Sequence, residues 1–378
     1  MSETVLTKFD PPASARKKAL GVVLFQLGGP DSPAAVEPFL YNLFCDPDII
    51  DFPLAWIARR PLARYIAKRR ASVVREHYEA IGGQSPIRLL TERQARKLAA
   101  ALEPEFDVKC WVAMRYWHPL TAETVEEVRA ASLDELVLLP LYPQYSLATT
   151  ASSLKEWRRV YSQAGARSSG RSLSRSGAHA GATAPREAPS PKLVENFHLH
   201  PLYIEALTER INTALTHFED PGKVHLVFSA HGLPLSLIAK GDPYERQIGE
   251  TVRAVMARGA WPNAHTLCYQ SRVGRQKWLG PPLEPTIEQL AGAGAKHLLV
   301  IPISFVTEHI ETLHEINIEA RAAAMKAGAE QFEMMPAVGD SPRFIGALAD
   351  VVRAAVRTGA SERASAPAAS GAESFKSP

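Results

Sequence analysis

Residues 297–319 read HLLVIPISFVTEHIETLHEINIE. The opening HLLVIPI is an apolar run short enough for a strand buried on both faces. A helical pattern follows it. The junction therefore sets polar residues at the C-terminal end of a strand, where open α/β sheets hold their ligands. On an α-helix, Glu308, Glu311, Glu315 and Glu319, spaced three, four and four apart, form one stripe. Like charges at such spacing cost roughly a few tenths of a kcal/mol per pair. Four carboxylates beside His309 and His314 are either a solvated helix face or a site that answers to a cation.

Working outward, the same unit recurs. Apolar runs at 20–27, 135–141 and 224–229 lead into the turns GGPDSP, YPQYS and AHGLP, and weaker strand patterns at 108–116 and 265–273 end beside MRYWHP and YQSRVG. Helical periodicity fills 91–102, 121–131, 201–218, 243–258 and 286–291. Strand and helix alternate, which predicts parallel sheets. The two halves repeat one order, so the expected fold is α/β: two similar doubly wound domains, parallel sheets flanked by helices, with the site in the cleft between them. The expected boundaries are a flexible N-terminus over 1–18, an α/β domain over 19–160, and a linker or insertion over 161–192. A second α/β domain follows over 193–340, then a C-terminal helix over 341–358 packing back on the body and a disordered tail over 359–378. Within the linker, residues 163–190 carry four arginines and a single large apolar side chain, Leu173. Such a stretch buries too little to offset its ordering entropy.

Composition narrows the class. A hydrophobic content of 46%, a charged content of 22% and a net charge of +3 fit a soluble globular protein and give no global attraction to nucleic acid. No apolar run approaches the ~20 residues of a membrane span, and the start MSETVLTKFDPPASARKKA lacks the apolar core of a secretory signal. A cytoplasmic location is expected, with any membrane contact peripheral. Cys45, Cys110 and Cys268 are scattered without CxxC spacing, so neither a disulfide framework nor a zinc knuckle is expected.

His231 lies where VHLVFS meets the turn AHGLP. An imidazole there serves as proton acceptor, metal ligand, or a loop histidine bonded to backbone. Downstream, Asp242 before Pro243 reads as a helix cap, a structural part.

Taken together, the segments at 27–50, 78–95, 114–128, 139–153, 228–247, 269–281 and 305–319 resemble, in order, the motifs of the ferrochelatases, which insert ferrous iron into a porphyrin. The resemblance covers about 20–356, interrupted by 163–190. It implies that His231 and Glu311 are the catalytic pair at the porphyrin core and its metal ligands. It also implies that Glu315 and Glu319, with His309 nearby, form a path for protons or metal, on a helix with a π-type widening. Arg115, Tyr116, Tyr78 and Ser85 match cleft residues, and Tyr142 and Trp278 match aromatic positions near the macrocycle. Leu43 and Phe44 match its apolar lip, and Arg70 a basic residue facing the porphyrin carboxylates. Leu27 stands where some relatives carry tyrosine or methionine near the metal, and lacking a donor atom it leans towards protoporphyrin IX. Some ferrochelatases hold a [2Fe–2S] cluster through three C-terminal cysteines. No cysteine follows Cys268, so no cluster and no tightly bound cofactor are expected. The implied partners are protoporphyrin IX and Fe2+ as substrates, with a transient contact to the preceding haem-pathway oxidase. Peripheral membrane contact would come through the lip, from Leu43, Phe44, Ile57 and the stretch PLAWIARRPLARYIAKRR. Readings as a coproporphyrin III ferrochelatase, a cobalt chelatase of the same fold, a non-catalytic porphyrin or metal carrier, and a solute-binding protein stand beside it.

Overall fold

A computed structural model describes residues 16–47, 55–172, 189–272 and 276–365, with backbone only at 55–57, 164–172 and 359–365. Strand β1 (Lys18–Gln26) leads to α1 (Val36–Cys45), α2 (Ala55–Glu79) and α3 (Ile87–Leu102). There follow β2 (Phe106–Met114), α4 (Thr121–Ala130), β3 (Glu135–Pro140), a π-helix (Leu147–Ala151), α5 (Ser152–Ser172) and β4 (Lys192–Leu193). The second half runs α6 (Pro201–Leu215), β5 (His225–His231), α7 (Leu235–Ala239), α8 (Tyr244–Gly259), β6 (His265–Gln270) and α9 (Leu283–Gly292). It continues with β7 (His297–Pro302), a second π-helix (Glu311–Ala320), α10 (Arg321–Lys326), β8 (Gln331–Met334) and α11 (Pro342–Ser365).

Two four-stranded sheets result, in the orders β2-β1-β3-β4 and β6-β5-β7-β8, with every pairing parallel. The repeated order bears out the doubly wound α/β expectation. In both sheets the chain reverses its winding at the first strand, between β1 and β3 and between β5 and β7. A crevice therefore opens at the C-terminal ends of those strands, where crossover connections diverge to opposite faces.

Central strands are buried on both faces, as parallel sheets require. One apolar core runs unbroken from β1 (Leu20, Val22, Leu24) through α3, α6 and α11 to β5 and β7 (Phe228, Ile301). The outer faces pack separately, the first sheet under α4 and α5 and the second under α9, the second π-helix and α10. A smaller cluster joins α1 to α2 through three alanines spaced four residues apart, Ala63, Ala67 and Ala71, whose small side chains let the two helices approach closely.

Polar clamps fix one half against the other. Gln26 at the end of β1 donates to the Thr307 hydroxyl at 3.3 Å, and Gln94 donates to the carbonyls of Val306 and Gly339 at 3.1 and 2.8 Å. Buried Asp242 accepts from the Ser146 hydroxyl at 2.8 Å, the Leu147 N–H at 2.7 Å and the Tyr244 N–H at 3.0 Å. It thus serves the start of α8, as its sequence position predicts, and in addition holds the first π-helix.

Several boundaries differ from the periodicity. Helices α3 and α9 begin earlier than 91 and 286, right after Pro86 and Pro282, whose rings preset the dihedral for a helix start. Helix α5 continues to Ser172, so the first part of the expected linker is helical, and α11 continues to Ser365, into the expected tail. Once nucleated by packing, a helix extends at little cost through polar residues. The rest of the expected linker, from 173 to 188, the tail beyond 365 and the side chains of Trp56 and Ile57 lie outside the described residues. Strands β4 and β8 carry no sequence signal because they are short and sit at sheet edges.

Candidate active site

His231 is the last residue of β5, and its backbone is held at both ends. Its N–H donates to the Ser304 hydroxyl at 3.1 Å, and its carbonyl accepts from the Tyr244 hydroxyl at 3.1 Å. The next residue must be glycine, since a Cβ on Gly232 would stand 2.7 Å from the Gln270 carbonyl oxygen. The imidazole Nδ1 lies 2.9 Å from Glu311 Oε2, on the first residue of the second π-helix. His309 Nε2 approaches the same oxygen at 3.5 Å, and Phe305 sets its ring edge-to-face against His309 at 4.5 Å. The pair therefore sits at the switch point of the second sheet, one member from β5 and the other from the connection after β7.

The electrostatics of the pair are reciprocal. Burial disfavours the His231 imidazolium, but the charge and hydrogen bond of Glu311, with Glu315 behind it, outweigh that and raise its pKa. Burial alone would raise the Glu311 carboxyl. The charges and hydrogen bonds of His231 and His309 override it and hold Glu311 well below the usual carboxylate range. Glu315, one turn further along, behaves oppositely. Burial, then the neighbouring Glu311 charge, push it up to about 7, against the opposing hydrogen bonds of Ser271 and Gln270 and the charge of His231. Two carboxylates on one helix thus hold different protonation states near neutrality, because their neighbours differ.

Residues with little sequence signal complete the centre. Gln270, the last residue of β6, donates to the Glu311 carbonyl at 2.8 Å and to Glu315 Oε2 at 3.2 Å, while accepting from Ser229 at 2.7 Å. Ser271 donates its hydroxyl to Glu315 from a backbone at φ 63, a left-handed conformation that strains a non-glycine residue. Strain at such a place marks a side chain whose aim matters. Glu308, by contrast, leaves the stripe. It precedes the helix, bonds the Thr312 hydroxyl and caps the Ala337 N–H at 2.7 Å. The reading of four aligned carboxylates therefore reduces to three, because the chain at 308–309 is not yet helical.

The remaining candidates surround this centre unevenly. Tyr78 is buried, and its phenol is raised first by burial and then by the Glu311 charge, which places it near the pair. Trp278 lies across Gly232, its ring 3.4 Å from where a Cβ would stand, and walls the turn after His231. Ser85 packs on Gly29, where a Cβ would meet its hydroxyl at 2.6 Å, locking the loop after α2 to the turn after β1. Leu27 and Leu43 are half-buried, whereas Phe44 is 5% exposed, sunk between α1 and α2 under the exposed Arg70 guanidinium at 5.8 Å. Arg115 pairs with buried Asp46 at 2.7 Å, and the Tyr116 hydroxyl donates to the same carboxylate at 2.7 Å. Both are tied to one buried carboxylate, and Asp46, which supplies it, gave no signal of its own. Tyr142 has a phenol driven well up by burial. His231, Glu311, Glu315, His309 and Tyr78 come together. Arg115 and Tyr116 meet at Asp46, and Phe44 packs in the cluster of α1 and α2.

Comparison with known proteins is decisive at this point. The family model described as Ferrochelatase matches residues 19–356. The chain belongs to the ferrochelatase family. The ferrochelatase of Geobacter metallireducens is 46% identical over 335 residues, covering 88% of this chain and 98% of the relative. That of Gloeobacter violaceus is 44% identical over 340 residues (88% and 96%), and that of Thermosynechococcus vestitus 43% over 338 residues (89% and 82%). Among solved structures, SirB from Bacillus subtilis with Fe3+ superposes with a TM-score of 0.51 at 9% identity, covering 91% of this chain and 98% of that one. That likeness shows a shared fold alone. As a ferrochelatase, the chain is an enzyme of metal insertion into porphyrin, and the cobalt-chelatase, carrier and solute-binding readings lose their support. No helix among the described residues is long and apolar enough to cross a membrane.

Proposed function

We propose that this chain inserts Fe2+ into protoporphyrin IX to give protohaem, the last step of haem synthesis, with His231 and Glu311 acting at the porphyrin core. The observation that carries the reading is the 2.9 Å His231–Glu311 pair backed by a carboxyl poised at about 7 on Glu315. Metal insertion replaces two pyrrole N–H bonds with metal–nitrogen bonds and releases two protons. A rigid cleft with aromatic walls can bend the macrocycle, drawing on binding energy along its body, and tilt the nitrogen lone pairs towards the metal. His231 then takes a pyrrole proton as general base, and Glu311, held ionised, stabilises the imidazolium. Glu315 can accept a proton near neutral pH and return it to solvent past Glu319. The alternative role, in which imidazole and carboxylate hold the incoming Fe2+, fits the same donor atoms.

Two observations support protoporphyrin over coproporphyrin III. Leu27 brings no donor atom to the end of β1, and Arg115 is already engaged by Asp46, which suits a ring with fewer carboxylates. No resident cofactor belongs to this reading. A [2Fe–2S] cluster takes four cysteine thiolates, and the sequence carries three cysteines, Cys45, Cys110 and Cys268. A cytoplasmic enzyme touching the membrane surface is part of the proposal, as is a passing contact with the oxidase that supplies protoporphyrin. Leu62, Tyr65 and Val73 are exposed on α2 among its arginines and lysines. Sedimentation with anionic vesicles tests the membrane contact, and no salt-sensitive binding would remove it.

Anaerobic mixing of the purified protein with Fe2+ and each porphyrin, followed in the visible spectrum, tests the reaction. Haem formation from protoporphyrin, abolished in His231→Ala, is expected. Preference for coproporphyrin would overturn the substrate assignment, and near-normal turnover of His231→Ala would overturn both roles of that residue.

A further inference from the structure

Residues 304–309 lead from β7 to the second π-helix without regular structure, so no ladder of backbone bonds sets their course. Yet they aim His309. Its Nδ1 lies 3.2 Å from the Thr307 carbonyl oxygen, which leaves Nε2 facing Glu311 Oε2 at 3.5 Å. This connection is gripped from the other half of the molecule, by α3. Gln94, fully buried on that helix, donates from its amide nitrogen to the Val306 carbonyl at 3.1 Å and to the Gly339 carbonyl at 2.8 Å. The Gly339 N–H donates to the same Val306 carbonyl at 3.0 Å, from a backbone at φ 56 that favours glycine. One residue beyond Thr307, Glu308 ties the two segments again at the Ala337 N–H.

Hydrogen-bond satisfaction does not account for Gln94. The Val306 carbonyl already accepts from Gly339, and Gln94 Oε1 is itself buried with no partner among the described residues. The amide cannot turn to spare that oxygen, because its nitrogen stands between two carbonyls and both its hydrogens are used. An unpaired buried acceptor is a standing cost to the fold. What the amide secures in exchange is a fixed place for Val306, three residues before His309. We propose that Gln94 is a positioning residue of the metallation reaction. It fixes Val306, through it the Thr307 carbonyl, and so the angle at which His309 meets Glu311. Gln26 on β1 holds the Thr307 hydroxyl beside it, so two glutamines of the first half grip consecutive residues. The first half thereby sets the alignment of His231, His309 and Glu311, which all belong to the second. The inference rests on the His231–Glu311 pair as the place of metallation.

Gln94→Met tests it, keeping the volume and helical preference of the side chain while removing both donors. Metallation by the full chain is followed with whichever porphyrin the wild type turns over. Heteronuclear NMR of the histidine rings reports aim, the His309 ring being the one whose signals vanish in His309→Ala. Circular dichroism reports folding. In the folded variant the His309 signals should move or broaden, while those of His225, at the opposite end of β5 from His231, stay in place. Its kcat should fall roughly 10- to 100-fold, the scale of a ~1 Å misplacement, while the porphyrin KM holds. A clamp that serves stability alone would lower Tm and leave both readouts unmoved. Unmoved His309 signals would therefore overturn the inference, as would wild-type kcat or a loss confined to the porphyrin KM. If Gln94→Met does not fold, Gln94→Asn, whose amide is one carbon short of both carbonyls, decides by the same readouts. Persistent metallation by His231→Ala would instead remove the premise, so the two failures are told apart.

Discussion

Replacing Glu315 by glutamine should make the protein more stable and less active, each in a pH-dependent way. The folded carboxyl titrates at about 7 against an ordinary 4.5. As pH rises, the unfolded chain releases this proton first, so between those values the folded state holds more protons and loses stability with each step. The difference of about 2.5 pH units corresponds to about 3 kcal/mol by pH 8. Glutamine cannot ionise, and its amide oxygen can still accept from Ser271 and Gln270. The variant should therefore match the wild type near pH 4.5, gain over it as pH rises through 7, and keep a constant lead above that. With an unfolding entropy of ~2 cal/mol/K per residue, about 3 kcal/mol on a folded body of this size is roughly 4 °C in Tm. Melting curves of both proteins across pH 4.5–8.5 measure it, with ferrous metallation rates on the same samples. Turnover of the variant should fall because a carboxyl able to exchange a proton near neutrality, beside the His231–Glu311 pair, is gone. A Tm difference that does not vary with pH would refute the reading of Glu315, and unchanged turnover at pH 7–8 would refute its place in proton release.

Other outcomes follow from the same geometry. Glu311→Gln removes the charge that raises His231 and should cost roughly 10- to 100-fold in kcat/KM, as losing a charged hydrogen bond of about 1.5–3 kcal/mol implies; Glu319→Gln should cost less, and equal losses would refute the inward order of the row. Asp242→Ala strands the donors of Ser146, Leu147 and Tyr244 and should lose about 3–5 kcal/mol in urea unfolding, a loss under 1 kcal/mol contradicting its role between the halves. Gly232→Ala drives a Cβ against the Gln270 carbonyl and should displace His231, cutting activity more than the roughly 1–3 kcal/mol it costs in stability. Wild-type activity in that variant would show the turn to be more yielding than its contacts imply.

Much of this chain is legible from sequence because its signals are local. Doubly buried strands such as HLLVIP and ELVLLP announce themselves as unbroken apolar runs, and their alternation with helices is enough to predict two parallel sheets. His231 and Glu311 are legible because polar residues at the C-terminal ends of such strands fall at ligand sites, and the ordered motifs single them out among others. Tertiary structure decided what depends on contacts between distant segments. Glu308 looked like a member of the carboxylate row until the backbone at 308–309 proved non-helical and gave its side chain the Ala337 N–H to cap. Ser271 and Gln270 look like ordinary strand-end polar residues, and only the fold brings them 44 and 45 residues along the chain to Glu315. Arg115 in MRYWHP matches a cleft residue by motif, and only the fold shows that Asp46, far from it in sequence, neutralises it. Likewise His77 and His314 are unremarkable apart and become a stacked pair only when α2 meets the π-helix. Residue type and period fix local conformation, whereas charge state and ligand chemistry depend on burial and neighbours, which a linear pattern does not contain.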